Sequence, residues 1–342
     1  MRKAKLFLFF LCKTAGLFHL AQWITRDCLK VLCYHGFELI DETSFRPNLF
    51  IKLEQFEKRL ATIRRYGFHV LPLSEAIDKL YSLDLPKNTV VITVDDGFHS
   101  FHRLAVPCLQ RYGYPATVYV TTYYVENPNP IFRLVVQYMF WKTRKLELIL
   151  RNVPWSTYKA INLSVKSERE KVIWDCINYG ERECTEEMRC TICKELGVLL
   201  ETPYEDITHS KTLHLMTPDE LRSLVTAKVS IELHTHRHTF PSNNLARAEK
   251  EIIDNQSVFK KYLIAEPSHF CYPSGLWDKC QWTLLDSMRL KSSATCLPGL
   301  NSHKTPRHGL HRFLDGENIH QLEFEAALSG FSDLMNKLRS NL

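Results

Sequence analysis

The sequence predicts an α/β fold in which short parallel strands alternate with helices, and two observations support this prediction. First, segments of strand character alternate with segments of helical periodicity through short connections, which is typical of right-handed βα units. Second, Thr89–Val94 is a run of β-branched residues, as expected for a fully buried strand of a parallel sheet. This alternation suits either an open sheet or a barrel.

Strand and helix signals place the elements along the chain. Strands are expected at Lys30–Tyr34, Phe68–Leu73, Thr89–Val94, Ala116–Thr121, Val229–Leu233, Phe270–Tyr272, Ser293–Cys296 and Leu310–Phe313. Apolar residues at helical spacing predict helices at Leu53–Tyr66, Glu75–Tyr81, Phe101–Tyr112, Leu245–Tyr262, Trp282–Met288 and Leu322–Leu338.

Two helix starts carry capping signals. Ser74 is the expected N-cap of the helix at Glu75–Tyr81. Thr217, followed by Pro218 and completed by Glu220, predicts a capping box. The second helix is expected to run to about residue 227.

The alternation of strand and helix signals is interrupted over about residues 126–215, where we expect a mostly helical insertion. This region is rich in aromatic and charged residues and has few strand signals. Because the alternation resumes afterwards, we interpret it as part of one domain covering residues 30–342. Cys190 and Cys193 lie in a C-x-x-C spacing, but no second pair has a familiar zinc-site spacing, so unligated thiols are favoured.

The composition limits the partners and the compartment. The formal charge is only +6 (44 basic minus 38 acidic residues) and no compact basic block occurs, so no nucleic-acid partner is predicted. The 11 cysteines are irregularly spaced, unlike a small secreted disulfide framework, which favours a reducing compartment.

Residues 1–29 are expected to form an apolar or amphipathic helix ahead of the domain. The basic start and the apolar run Leu6–Cys12 imitate a signal peptide, but Lys13 interrupts the run and no clear cleavage site follows. The run is also shorter than the ~20 apolar residues of a spanning helix. We therefore expect a retained helix at a membrane surface or on the domain. The expected location is the cytoplasm, near the inner membrane surface, with secretion and the oligomeric state left open.

Polar side chains follow four of the predicted strands at the point where each ends. His35 follows the first, Asp95 and Asp96 follow the third, and the segments His234–His238 and Pro273–Gly275 follow two later strands. Alone, an Asp-Asp-Gly sequence indicates a turn. Parallel strands, however, place their carboxyl ends on one side of the sheet, so these groups are expected to converge.

Together these residues suit metal-assisted hydrolysis. Two imidazoles and one carboxylate can hold a divalent ion and leave positions for water and substrate. The ion lowers the pKa of the water and polarises a carbonyl group, and a second carboxylate can take the proton of the water. Asp95 and Asp96 offer one acid for each task. His35 is the candidate for protonating the leaving amine.

The same segments resemble the polysaccharide deacetylases of carbohydrate esterase family 4, the NodB-homology domain. The T-x-D-D-G segment of that family is matched by Thr93–Gly97, the H-[ST]-x-x-H segment by His234–His238, and the later groove segment by Cys271–Gly275. Val31–Gly36 is similar to the V-L-x-Y-H-x segment of many bacterial members, and Pro115–Val120 to a family strand. The resemblance covers about residues 30–315, apart from the insertion.

The resemblance implies a distorted (β/α) barrel of about seven strands and removal of N-acetyl groups from amino sugars. It makes Asp95 the catalytic base, and Asp96, His234 and His238 the ligands of a divalent metal, zinc with cobalt and nickel as alternatives. His236 falls on a variable position and is not an expected ligand. The implied substrate is an N-acetylated glycan of a surface polysaccharide or its lipid- or nucleotide-linked precursor.

The resemblance also assigns supporting roles. Thr235 would help to hold the histidine loop. The groove wall, where a backbone N–H can help to stabilise an oxyanion, would consist of Tyr272, Pro273, Ser274 and Gly275.

The sequence departs from the family pattern at two places. Cys271 stands where many members carry arginine, and the late L-x-H segment that supplies the general acid is not evident. Leu310–Arg312 is similar to the L-x-R segment of related bacterial members, so Arg312 is expected to replace the missing arginine beside Asp95. In members with the early Y-H segment that histidine takes the acid role, which we assign to His35.

Two other functions stay open at this point. Cys271 and the missing late histidine would suit a catalytically impaired glycan-binding protein on the same scaffold. Relatives with this domain also hydrolyse non-sugar amides. Retention of Asp95 favours catalysis, because a protein that only binds glycan need not keep the base.

Overall fold

The chain folds around one curled parallel sheet. The computed structural model describes residues 2–150, 153–156, 158–262, 264 and 266–340. Met1, where the predicted N-terminal helix begins, and Leu342, where the predicted domain ends, lie outside the described residues. The strands are β1 (Lys30–Tyr34), β2 (Gly36–Phe37), β3 (Phe50–Ile51), β4 (His69–Val70), β5 (Thr89–Val94), β6 (Ala116–Val120), β7 (Glu147–Ile149), β8 (Ala160–Asn162), β9 (Val229–Leu233), β10 (His269–Cys271), β11 (Ser292–Ala294) and β12 (Phe313–Leu314).

Helices cover much of the remaining described chain. They are α1 (Arg2–Thr14), α2 (Leu17–Ile24), α3 (Glu42–Phe45), α4 (Leu53–Arg65), α5 (Leu73–Tyr81), α6 (Val106–Tyr112), α7 (Tyr123–Glu126), α8 (Phe132–Lys142), α9 (Lys166–Glu183), α10 (Glu186–Leu200), α11 (Tyr204–His209), α12 (Pro218–Ser223), α13 (Leu245–Lys261), α14 (Trp282–Ser287), α15 (Gln321–Leu328) and α16 (Phe331–Ser340). The predicted capping box at Thr217 is present at the start of α12, and a 3₁₀ turn continues that helix to Ala227.

The main sheet has the strand order β11-β10-β9-β6-β5-β1-β12, and β4 pairs with the beginning of β5. All of its paired strands are parallel. A bridge between Ala294 and Leu310 brings the segment before β12 beside β11, so the two edges of the sheet approach each other. The predicted distorted barrel of about seven strands is confirmed.

Side chains of the sheet alternate between an outer and an inner face, as the two-residue period of a strand requires. In β5, Val90, Ile92 and Val94 belong to the large core beneath the outer helices. Val91 packs instead in a separate cluster with buried residues of α5. Asp95 lies four residues beyond Val91 and shares its parity, so the strand pattern directs Asp95 to the inner face.

The region predicted as a mostly helical insertion contains α8 to α11 and a core of its own, which Phe50 and Phe98 join to the barrel. It also contains the antiparallel pair β7–β8, which the sequence did not predict. Cys193 is buried and Cys190 partly buried, and both thiols are free.

Three predicted elements differ in the structure. Ser74 lies inside α5, which begins at Leu73 after Pro72, so its assignment as N-cap was wrong. The predicted C-terminal helix is divided into α15 and α16, because Gly330 has a φ of +78° and lies against Thr25, where a side chain would clash. The helix after β5 begins with a π-helical turn at Phe101–Ala105.

The N-terminal segment forms two helices rather than one. Gly16, with a φ of +80°, separates α1 from α2, and the two helices meet at a bend of 78°. Among the described residues, no single helix is long and apolar enough to cross a membrane. The bent pair α1–α2 meets the length and composition criteria when its two helices are taken together.

Candidate active site

The predicted site residues are brought together at the carboxyl end of the barrel. His35, Asp95 and His234 come directly after β1, β5 and β9, and Cys271 is the last residue of β10. Each lies at the inward-facing parity of its strand. The parallel sheet therefore converts four distant sequence positions into one cluster.

The turn after β5 directs both carboxylates to this cluster. Asp96 has a φ of +69° and Gly97 a φ of +87°. The Gly97 N–H donates to the Asp95 carbonyl over 2.9 Å, and the Gly97 carbonyl accepts from the Met216 N–H over 2.9 Å. A left-handed Asp96 is strained, and such strain persists where surrounding contacts enforce it, often at functional sites.

Asp95 is held by a buried arginine from the far end of the chain. Arg312 Nη1 donates to Asp95 Oδ1 over 2.7 Å, and Nη2 donates to Oδ2 over 2.8 Å. Arg312 Nε donates to the Thr295 carbonyl. Burial alone would raise the pKa of Asp95, but the charge and hydrogen bonds of Arg312 hold that pKa well below its ordinary value.

Two buried thiols also contact Asp95. Cys33 Sγ lies 3.5 Å and Cys271 Sγ lies 3.4 Å from Asp95 Oδ2. Burial raises the pKa of both thiols well above the ordinary cysteine value, so they remain protonated and can donate weakly to the carboxylate. Neither contact was predicted. The only sequence signal is that Cys33 lies two residues before His35 and therefore points to the same, inner face of β1.

Asp96 belongs to a second cluster with two histidines. Asp96 Oδ1 lies 3.3 Å from His234 Nε2 and 3.4 Å from His238 Nε2. Burial would raise the pKa of Asp96, and the contacts with His234 and His238 lower it to about 2. His234 is buried, whereas the His238 side chain is 40% exposed, which opens this cluster to solvent.

The ring orientation of His234 is fixed by its second nitrogen. His234 Nδ1 lies 2.8 Å from the Cys271 carbonyl. Because a carbonyl can only accept, Nδ1 carries a proton, and Nε2, which faces Asp96, is the nitrogen left for a metal when the ring is neutral. This is the arrangement in which a histidine binds a metal.

The loop between the two histidines is tightly held by its neighbours. Thr235 and His238 have positive φ values, +65° and +54°, and Thr235 Oγ1 accepts from the Thr239 N–H over 3.2 Å. His236 turns away from the cluster, and its Nδ1 lies 3.0 Å from Thr122 Oγ1.

Two residues that the sequence did not single out hold the same loop from α13. The Asn255 carboxamide accepts from the His234 N–H over 3.1 Å. The Glu251 carboxylate accepts from the Arg237 N–H over 2.7 Å. No local sequence signal distinguishes these residues from other polar positions of an amphipathic helix.

The groove segment follows β10 as a 3₁₀ turn. The Tyr272 N–H donates to the Ala294 carbonyl, and the Gly275 N–H donates to the Tyr272 carbonyl. Pro273 has no N–H. The structure describes this whole segment, and in it the Ser274 N–H has no backbone acceptor. The Ser274 N–H is therefore the one that can donate to a bound ligand.

Gly275 cannot be replaced without rearrangement. Its φ is +66°, and a Cβ would lie 2.6 Å from Cys296 Cβ. The Tyr272 ring is buried, and its hydroxyl donates to the His308 carbonyl over 2.9 Å. This arrangement makes Tyr272 part of the supporting wall, whereas Ser274 is exposed.

His35 faces the Asp95 carboxylate. His35 Nε2 lies 3.8 Å from Asp95 Oδ2, and the side chain is partly exposed. His35 Nδ1 is buried and has no partner among the described residues. The imidazole is therefore near the reacting region but is not committed to a structural hydrogen bond.

Three groups of side chains have ligand atoms close enough to hold one ion. They are Cys33–His35–Asp95, Asp95–His234–Cys271 and Asp96–His234–His238, each with ligand atoms within 4.8 Å of one another. In the first two, Asp95 is already paired with the Arg312 cation and the thiols are protonated. The third has neither obstacle. Donors about 2.0–2.1 Å from a tetrahedral ion would lie about 3.3–3.4 Å apart, and Asp96 Oδ1 lies 3.3 Å and 3.4 Å from the two histidine nitrogens.

Comparison with known proteins identifies the family. A model of the polysaccharide deacetylase family matches residues 82–143 and 193–292. The first stretch contains Asp95 and Asp96, and the second contains His234 and His238. Over these two stretches the chain belongs to the polysaccharide deacetylase family, a family of hydrolytic deacetylases. No curated protein sequence matches the chain.

Solved structures support the fold. The chain is similar to the deacetylase PplD of Streptococcus pyogenes in complex with acetate, with a TM-score of 0.58, 16% identity, and 88% of this chain and 98% of that chain covered. It is also similar to IcaB from Ammonifex degensii, with a TM-score of 0.55, 16% identity and coverages of 89% and 97%. For a de-N-acetylase from Aggregatibacter actinomycetemcomitans the TM-score is 0.55, the identity 13% and the coverages 88% and 99%.

Proposed function

We propose that this chain is a metal-dependent hydrolase that removes N-acetyl groups from the amino sugars of a polysaccharide or of its lipid- or nucleotide-linked precursor. The observation that carries the proposal is the separation of the two neighbouring carboxylates. Asp95 is bound to Arg312, whereas Asp96 lies between two imidazole nitrogens. One carboxylate is thus kept available for proton transfer and the other for metal binding.

Asp96, His234 and His238 fit a divalent ion. Their three donor atoms converge, His234 Nε2 is left for the ion because Nδ1 donates to the Cys271 carbonyl, and the exposed edge of His238 leaves room for further ligands. Zinc suits this set of two imidazoles and one carboxylate, with cobalt and nickel as alternatives. When bound, the ion would polarise the acetyl carbonyl and lower the pKa of the attacking water.

The surrounding residues supply the proton transfers. Asp95, whose pKa Arg312 holds well below its ordinary value, accepts the proton of the attacking water. His35, whose Nε2 lies 3.8 Å from Asp95 Oδ2, donates a proton to the amine as the C–N bond breaks. The free Ser274 N–H is the proposed donor to the oxyanion that forms on the acetyl carbonyl. The products are acetate and the free amino sugar.

A panel of substrates tests this function. Protein loaded with zinc, cobalt or nickel is incubated with N-acetylated amino sugars, both free and carrier-linked, and acetate release and the mass of each sugar are measured. Deacetylation that is lost on metal removal supports the proposal. Glycan binding without acetate release would favour the binding-only alternative, and release from simple amides alone would favour a non-sugar substrate.

We further propose that α1 and α2 bind the surface of an anionic membrane at the cytoplasmic face. Eight large apolar side chains of these helices, each between 39% and 64% exposed, form what we call the apolar face: Phe7, Leu8, Phe10, Leu11, Leu17, Leu20, Trp23 and Ile24. Residues 2–26 contain five basic and no acidic residues. A segment without acidic residues that exposes several large apolar side chains suits the surface of an anionic membrane.

The charges of α1 explain why its apolar side faces outward. Arg2 and Lys5 pair with Glu323, and Lys13 pairs with Glu325, on α15. These pairs attach the polar side of α1 to the domain. The Arg26 guanidinium also stacks on the Trp23 ring at 4.6 Å, a combination typical of membrane interfaces.

Vesicle binding tests the membrane proposal. Wild-type protein should sediment with vesicles that contain phosphatidylglycerol and much less with neutral phosphatidylcholine vesicles. Phe10→Ser with Trp23→Ser should abolish sedimentation. Val198→Ser with Leu146→Ser, which removes comparably exposed apolar residues from the insertion (80% and 72%), should not. A stable dimer that binds neither vesicle would show that a second copy covers this face.

A further inference from the structure

We propose that the insertion positions the metal-binding loop His234–His238, and that Tyr123 transmits this effect. This inference rests on the proposed metal site formed by Asp96, His234 and His238. It goes beyond that site because it assigns a role to α10, which contributes no ligand and lies in a different part of the fold.

The first link joins Tyr123 to the loop. The Tyr123 N–H donates to the His236 carbonyl over 2.8 Å, midway between the two histidine ligands. The preceding Thr122 bonds the His236 ring, and the rings of Tyr123 and His236 meet edge to face with centroids 5.8 Å apart. A shift of Tyr123 would therefore move His236.

The second link joins Tyr123 to the insertion. The Tyr123 hydroxyl donates to Glu186 Oε2 over 3.1 Å and accepts from Arg189 Nη1 over 3.1 Å. Glu186 and Arg189 also pair with each other over 3.3 Å, and their side chains are only 11% and 14% exposed. Arg189 Nε donates to the Gly180 carbonyl of α9. Two helices of the insertion thus hold the Tyr123 hydroxyl.

The loop needs such support because its conformation is strained. Thr235 and His238 both have left-handed backbone conformations, which cost of order 1–3 kcal/mol each and persist only where the surroundings enforce them. Asn255 and Glu251 of α13 hold the loop through the backbone N–H groups of His234 and Arg237. In addition, Tyr123 holds the central carbonyl of the loop and is itself held by α10. Loosening Tyr123 should therefore weaken metal binding before it weakens the fold.

Metal affinity measured by competition with a chelator tests this inference. In Tyr123→Phe and in Glu186→Ala, metal dissociation constants should rise about tenfold, in the range seen for residues that orient metal ligands. The absorption bands of the Co²⁺ form should also shift, because they report ligand geometry. Glu186→Gln keeps an oxygen that can accept from Tyr123 and should restore most of the affinity.

A control variant removes an ion pair of the same insertion that is not part of the Tyr123–Glu186–Arg189 network. Lys171 pairs with Asp175 over 3.0 Å within α9, and Asp175→Ala should leave metal affinity and the Co²⁺ spectrum unchanged. Melting of the metal-free proteins shows whether any variant merely unfolds. Wild-type affinity and spectrum in folded Tyr123→Phe and Glu186→Ala would overturn the inference. A wild-type protein that binds no metal would instead overturn the proposed site.

Discussion

In most proteins charged side chains are exposed and large apolar side chains are buried. The carboxyl end of the barrel and the apolar face of α1 and α2 depart from this pattern in opposite ways. At the barrel end, charged Asp95 and Arg312 are fully buried. On α1 and α2, large apolar side chains are exposed while the neighbouring cations turn inward to Glu323 and Glu325. Burying a charge is costly unless it is paired, and a contiguous exposed apolar patch indicates a contact surface. The first arrangement suits chemistry and the second suits binding.

The two carboxylates of the barrel end should respond differently to the same substitution. Asp95→Asn removes the proposed base and should lower kcat about 10³-fold, within the range for general bases, with metal content unchanged. Asp96→Asn should instead lose the metal. Activity and bound metal are measured together for both variants. An Asp95→Asn enzyme with wild-type kcat would exclude Asp95 as the base.

Arg312→Met should affect both stability and pH dependence. Leaving Asp95 buried without its partner should cost about 3–5 kcal/mol in the free energy of unfolding. The pKa of Asp95 should also rise, because Arg312 lowers it. Asp95 would then be protonated in mild acid, and the acid limb of the kcat/KM profile should move to higher pH.

A second buried ion pair provides the control for Arg312. Arg59 binds Asp315 over 2.9 Å, with both side chains at most 1% exposed. Arg59→Met should lower the free energy of unfolding by a similar amount but leave the pH profile of the remaining folded enzyme unchanged. An unchanged profile in Arg312→Met as well would refute the role of Arg312 beside the base.

The sequence predicted those parts of the barrel end that depend on local pattern. The β-branched strand before Asp95, the adjacent carboxylates and the two histidines four residues apart are all short-range signals, and the structure brings them together. The Arg312–Asp95 contact joins residues 217 positions apart, and only the family resemblance suggested it. The thiol contacts of Cys33 and Cys271 and the link from Tyr123 to Glu186 carry no local signal, because they depend on how distant elements pack.

The turn at Gly16 shows a different limit. A glycine within an apolar, helix-compatible segment is often tolerated, so the sequence favoured one continuous helix. In the structure Gly16 adopts a left-handed conformation that allows Phe9 and Phe18 to pack together against Phe331. This tertiary contact, rather than local propensity, decides where the helix breaks.

His35 tests whether the barrel end uses a separate acid. His35→Ala should lower kcat about 10²-fold on an N-acetylated sugar, the lower part of the range for acid–base groups. The loss should be smaller on an anilide, whose leaving amine needs less help from a proton donor, whereas Asp95→Asn should impair both substrates alike. Near-normal turnover of His35→Ala on the sugar would remove His35 from the mechanism.

Lys30 is a buried lysine at the start of β1, at the opposite end of that strand from the proposed active site. Burial lowers its pKa to about 8, whereas the unfolded chain keeps the ordinary value of about 10.4. Between these values the unfolded state binds more protons, so this lysine should make the protein more stable as pH rises from 8 to about 10, by roughly 2–3 kcal/mol. The gain is absent below pH 8, where both states are protonated.

Urea unfolding at the two pH values measures this effect. Other groups titrate in the same range, so the relevant quantity is the difference between wild type and Lys30→Met. The variant should lack the part of the pH dependence that belongs to Lys30. Equal pH dependence in the two proteins would mean that Lys30 is not held as a costly buried charge.

The smallest effect on stability is expected at the apolar face, and it completes the contrast with the barrel end. Trp23→Ser should change the free energy of unfolding by less than about 0.5 kcal/mol, as is usual for exposed positions, although it removes a large aromatic ring. Phe18→Ala, which empties a fully buried position beside Phe9 and Phe331, should cost about 3–5 kcal/mol. Denaturant unfolding separates the two cases. If Trp23→Ser destabilised the protein as strongly as Phe18→Ala, the outer side of α2 would be part of the core and not a surface for lipid.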